Sequence, residues 1–130
     1  MSATTTYLPD PGIIEIRFTG ATSGNDLARS TIEGIGLARE HRTRRVLVDT
    51  TGMTLTASLV DVVKLPTDQY VAEHVDTRTR IALVCPPGAP AREAVQYYED
   101  SCVIHGFDVR TFPDRASALA WLEAGSAPFR

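Results

Sequence analysis

This chain is short of lysine and cysteine, it has no long apolar run, and it carries no glycine-rich phosphate loop. Of its 13 basic residues only Lys64 is a lysine. The rest are arginines, and the net charge is still −3. An acidic balance argues against nucleic-acid binding by bulk attraction. The two cysteines, Cys85 and Cys102, fall at a predicted strand end and inside a predicted helix. With no secretion signal in view, reduced thiols are expected. The N-terminus lacks a basic and then apolar leader, and no apolar stretch approaches the ~20 residues needed to cross a bilayer. A cytoplasmic location with no membrane span is the expectation. There is no Gly-x-Gly-x-x-Gly and no Gly-Lys-Ser/Thr. His41, His74 and His105 show no ligand spacing, so neither a metal nor a cofactor is expected.

What is present is an ordinary globular composition, with 43% hydrophobic and 22% charged residues. A length of 130 residues suits a single domain with its own core. The expected core spans about residues 4–124, with 125–130 a loose tail. A short strand at 4–8 is followed by Pro9-Asp10-Pro11-Gly12, strong turn punctuation. Ile14, Ile16 and Phe18 then alternate with Glu15 and Arg17, so Glu15 and Arg17 are read as outward-facing on a half-buried strand. These two strands suggest a hairpin. Ser23-Gly24-Asn25-Asp26 offers helix caps, and a helix is expected to about His41, with Leu27, Thr31, Gly34, Ile35 and Ala38 on one face. Gly34 and Gly36 weaken it, each by up to roughly 1 kcal/mol relative to alanine. A close helix-to-sheet contact would account for them.

The most informative stretch is 45–59. Val46-Leu47-Val48 reads as a buried strand ending at Asp49, followed by a polar turn and a helix opening near Ser58. A helical region over 58–75 is expected to break at Pro66, with Thr67 able to cap the second piece. A buried strand at 81–85, a helix at 91–105 stopped by Gly106, a strand at 107–112 and a helix capped by Asp114 complete the chain. Tyr98 is expected in the core and Tyr97 at the surface. Strands alternating with helices after a hairpin mean an α/β layer with a mixed, mainly parallel sheet and right-handed crossovers.

The segment Asp49-Thr50-Thr51-Gly52 resembles the first half of the Asp-x-Ser-Gly pattern of STAS domains, the fold of bacterial anti-sigma-factor antagonists. Ala57-Ser58-Leu59 stands where the second half falls, without its acid or glycine. The C-terminus, Phe112-Pro113-Asp114 and then Ala118-Leu119-Ala120-Trp121-Leu122, looks like the tail of small stand-alone SpoIIAA-like proteins. The resemblance implies a STAS-like fold and a non-enzymatic regulatory or protein-interaction role. It implies a partner surface at Asp49, Thr50, Thr51 and Gly52, and a phosphorylated switch at Ser58 or, as a lesser candidate, Thr56.

Each candidate has a plainer reading. A helix start at Ser58 would favour phosphate through free N–H groups and the helix dipole, but Ser58 with Asp61 is also a capping-box pair. Asp49 at a strand end has neither the acid pair nor the lysine of an aspartyl-phosphate site, and is read as accepting N–H bonds from the following turn. Arg39, Arg42, Arg44 and Arg45 form a cluster able to grip phosphate, or serve as cations at a helix C-terminus. Cys85 has no paired base in sequence, and is read as a buried structural thiol.

Three functional classes remain, one of them an enzyme of unknown chemistry whose nucleophile and base would have to assemble from residues distant in sequence, and the other two non-enzymatic. One is an interaction module working through 50–58 on an unidentified protein, with a homodimer expected from base rates. The other is a carrier of a small apolar ligand, with Leu59, Val62, Val63, Leu65, Tyr70 and Val71 lining its pocket.

Overall fold

A computed structural model of the chain describes residues 2–9, 12–56, 58–64, 68–86 and 88–124. Strands β1 (Ser2–Leu8) and β2 (Ile13–Thr22) form the expected antiparallel hairpin. Helix α1 (Gly24–Glu40) leads to β3 (Arg45–Leu55), and α2 (Leu59–Lys64) and α3 (Tyr70–Ala72) lead to β4 (Arg80–Val84). Helix α4 (Ala89–Ile104), β5 (Asp108–Phe112) and α5 (Arg115–Ala124) follow. Among the described residues the strands make one mixed sheet in the order β1-β2-β3-β4-β5, with β2 to β5 parallel.

That order decides where the helices go. Each crossover moves one strand over in the same direction. Right-handed connections then place α1, the α2–α3 segment and α4 on one face of the sheet. The chain passes β5 with the other face still bare, and α5 covers it. Side chains separate accordingly. Ile14, Ile16 and Phe18 pack with Leu27, Val62, Tyr70, Val95 and Tyr98 on the three-crossover face. Ile13, Leu47, Ala82 and Val84 pack with Ala118 and Leu122 of α5.

Several elements follow directly from local chemistry. Ser23 and Asp26 cap α1 reciprocally: the Ser23 N–H donates to Asp26 Oδ2 at 2.8 Å, and the Asp26 N–H donates to Ser23 Oγ at 3.3 Å. A Cβ on Gly34 would stand 2.8 Å from Ile16 Cδ1, so α1 lies close on β2 there and a larger residue would push that terminal methyl aside. Gly36 meets nothing within 4 Å, so close packing explains only the first of the two. The Ser117 N–H donates to Asp114 Oδ1 at 2.7 Å, capping α5.

Two sequence expectations are corrected. The stretch after Asp49 is not a turn: β3 runs on to Leu55, pairing Gly52 with Thr19 and Leu55 with Thr22. The register shifts between Arg17 and Thr19, so that Thr50 and Thr51 together face Phe18, a bulge. The bulge breaks the period-two pattern that marks a strand, and threonine is at home in one. The proposed partner loop at Asp49, Thr50, Thr51 and Gly52 is therefore sheet. Glu15 is not outward-facing in the solvated sense either, because it is buried beneath α5. The break at Pro66, the cap at Thr67 and the tail 125–130 lie outside the described residues.

Candidate functional site

At the C-terminal end of β3 the polar side chains are occupied in joining strands. Asp49 is buried, and its Oδ1 accepts from the Thr51 N–H at 3.0 Å and the Thr51 hydroxyl at 2.7 Å, bracing the bulge. Its Oδ2 faces Arg17 Nε at 3.4 Å. The Thr50 hydroxyl donates to the Val84 carbonyl at 2.5 Å, and the Thr56 hydroxyl donates to the Thr22 carbonyl at 3.0 Å. Ser58 is exposed; its N–H donates to Asp61 Oδ2 at 3.3 Å, and the Asp61 N–H donates to its hydroxyl at 3.1 Å. Ser58 thus caps the six-residue α2.

The α5 face holds a further charged group that the sequence pattern hid. Glu15 accepts from Arg115 Nε at 3.1 Å and from an Arg17 terminal nitrogen at 3.3 Å. The contact with Glu15 raises the Arg115 pKa, so the guanidinium stays charged. Period-two alternation tells which residues share a face, not whether another element covers it.

Volume lies on the other side of the sheet. A cleft of about 490 Å³ opens between α1 and the α3 region. Its floor is Ile16, Val46, Val48 and Ile81, its α1 wall includes Thr31, Gly34, Ile35 and Ala38, and Tyr70 closes the far side. A smaller inner cavity of about 80 Å³ shares Ile16, Thr31, Val48 and Tyr70 with it, and reaches Val62, Met53 and Tyr98. The roof is tied to α1 at two points. Gln69 Nε2 donates to the Ala28 carbonyl at 2.9 Å, and Arg39 donates to the Glu73 carbonyl.

The cleft is chemically two-ended. At the N-terminal edge of the strands its lining turns polar, with Arg39, Arg42, Arg44, His74 and Asp76. Asp76 pairs with Arg44 at 2.8 Å and Arg78 at 3.1 Å. Hydrogen bonds from Arg78 hold its carboxyl down at about 2. Arg42 and His74 are the non-glycine residues with positive φ among those described, at 52° and 55°. Both line this cleft. Such residues are uncommon, and strained backbone concentrates at functional sites. At the inner end the Tyr70 and Tyr98 hydroxyls are 2.5 Å apart, and both residues are buried. Burial raises both phenol pKa values, and pushes the neighbouring Cys102 thiol up to about 12. These groups are neutral at physiological pH.

Of the residues proposed for a pocket, Val62 and Tyr70 line the inner cavity, and Val71 is 58% exposed. Leu65 and the side chains of Leu59 and Val63 lie outside the described residues. The arginine cluster divides: Arg39, Arg42 and Arg44 reach the cleft, while Arg45 is not part of its lining. Cys85, expected as a buried thiol, is only half-buried. Among the described residues no group of histidine, cysteine and carboxylate side chains is arranged to hold a metal, and no helix is long and apolar enough to cross a membrane.

A family model described as SpoIIAA-like matches residues 13–123. A crystal structure of an uncharacterized protein from the DUF3478 family, with a SpoIIAA-like fold, from Shewanella loihica PV-4 is similar over 93% of this chain and 92% of its own. The TM-score is 0.58 at 19% sequence identity, a likeness of fold. None of the curated proteins matches. With the match spanning both sheet faces, from the start of β2 into the last turn of α5, the chain belongs to the SpoIIAA-like family.

Proposed function

We propose that the protein is a non-enzymatic binding module whose working site is the cleft between α1 and the α2–α3 segment, and that it takes up a small, largely apolar molecule. The observation that carries this reading is the cleft itself: about 490 Å³ floored by aliphatic side chains of β2, β3 and β4. That volume is in the range of small-molecule pockets. Binding is tested by thermal denaturation with apolar probes such as decanol. A ligand for the folded state raises the melting temperature with concentration. Ala38→Phe, which fills the cleft from the α1 wall, is expected to remove the shift. A shift that survives this substitution would place binding elsewhere.

A second reading, an interaction module for another protein, draws support from the outer surface of the same segment. Val60 and Val71 are 63% and 58% exposed on α2 and α3, close in sequence to the exposed Ser58 and Thr56. On this reading Ser58→Asp abolishes binding to an isolated partner while the far-ultraviolet circular dichroism is unchanged. Retained binding would count against the switch.

A further inference from the structure

Among the described residues, two arginines at the polar end of the cleft, Arg39 and Arg42, are in no ion pair. Of the described residues that line it, three are arginines, Arg39, Arg42 and Arg44, and one is a carboxylate, Asp76. Asp76 is already held between Arg44 and Arg78. Arg39 gives one of its donors to the Glu73 carbonyl and keeps the rest of its fork. Arg42 makes no ion pair among the described residues. It occupies a left-handed backbone position just past the end of α1, where glycine or asparagine is usual. The placement is the more pointed because the chain as a whole carries a net −3.

We propose that this end of the cleft clamps an anionic head group, a carboxylate or phosphate ester, through Arg39 and Arg42, with the attached apolar body lying on Ile16, Val46, Val48 and Ile81. The proposal rests on the cleft reading above and names its ligand class: an amphipathic anion of about single-chain size. Guanidinium forks match both head groups and bind them through charge-assisted hydrogen bonds. Aliphatic walls supply the area term for the chain. The pairing of Asp76 with Arg44 and Arg78 keeps the one carboxylate at this end from opposing the incoming charge.

The test compares three probes of one chain length on the whole protein at pH 7: decanoate, decyl phosphate and decanol, each by calorimetry or displacement of a fluorescent apolar dye. The charged probes are expected to bind roughly ten- to a hundredfold tighter than decanol, the range of hydrogen bonds to charged groups. Their advantage should shrink in high salt. The tighter of the two identifies the head group. The variant Arg39→Gln/Arg42→Gln, shown to be folded by circular dichroism, is expected to bring the anions down to the affinity of decanol. Equal affinity of decanol and both anions for the wild-type chain would overturn the anion clamp and leave the apolar cleft standing. Binding of none of the three would overturn both. An advantage that persists in the double variant would place the anion site away from these arginines.

Discussion

The two faces of the sheet are built from the same strands and packed to different standards. The face under α5 has one ten-residue helix over it, yet Ile13, Leu47, Ala82, Ala118 and Leu122 are all fully enclosed. The face under α1 to α4 carries the larger core, but many of its members keep 5–9% exposure, and a cleft runs through it. More helix therefore does not mean better filling. Helix α1 lies close on β2 at Gly34, and the cleft opens beside it, between α1 and the α3 region. The α5 face is the tightly filled half of the molecule, and the three-crossover face is the half that holds the cleft.

Neighbouring residues on β3 offer the sharpest way to break that contrast. Leu47 points to the α5 face and is fully enclosed, and Val48 points into the cleft and is half-buried. Leu47→Ala is expected to cost about 2–5 kcal/mol, transfer plus cavity. Val48→Ala removes less area from a site that already borders space, and should cost about 1 kcal/mol. Urea denaturation of both variants measures the difference. Equal costs would mean that the cleft closes in solution.

Within the open face, the Tyr70–Tyr98 pair marks where it becomes sealed. Removing either hydroxyl leaves the other enclosed with one fewer partner, so Tyr70→Phe and Tyr98→Phe should each cost about 1–2 kcal/mol. The double variant should cost less than their sum, because neither tyrosine hydroxyl is then left without the other. Strict additivity would mean that the two hydroxyls do not depend on one another. On the α5 face, Glu15→Gln weakens ion pairs whose arginines are 43–50% exposed. About 1 kcal/mol is expected there, well short of a fully buried pair, with no change in ligand binding.

How much of this was legible in the sequence follows the same division. The hairpin, the Ser23 cap, the Asp114 cap and the resemblance carried by 49–52 and 112–122 were enough for the fold. The extension of β3 was not legible, because a bulge at Thr50–Thr51 breaks the alternation by which strands are recognised. Glu15 was misread because periodicity assigns a face, and only the strand order shows that α5 returns to cover it. The arginines at 39, 42 and 44 were visible as a cluster. Their convergence on one cavity with His74 and Asp76 depends on how the ends of α1 and α3 meet across the sheet edge. A cavity is an absence of packing, and no pattern of residue types records it.

The smallest effect expected is also on the open face, and it depends on pH. Asp76 has its pKa lowered from 3.8 to about 2, first by the Arg78 side-chain hydrogen bond. A carboxyl with a depressed pKa in the folded state contributes stability above its unfolded value, and the contribution is lost as pH falls through the folded one. The window is therefore about pH 4 down to pH 2, with no change expected from this group near neutrality. Asp76→Asn should remove that part of the acid dependence, giving a flatter stability profile between pH 4 and pH 2 than the wild-type chain. It should also remove the one carboxylate seen among the described residues lining the mouth of the cleft, so an anionic ligand would bind the variant at least as tightly as before at pH 7. Weaker binding would show that Asp76 positions the arginines it pairs with, and that the open face is more ordered at its mouth than along its floor.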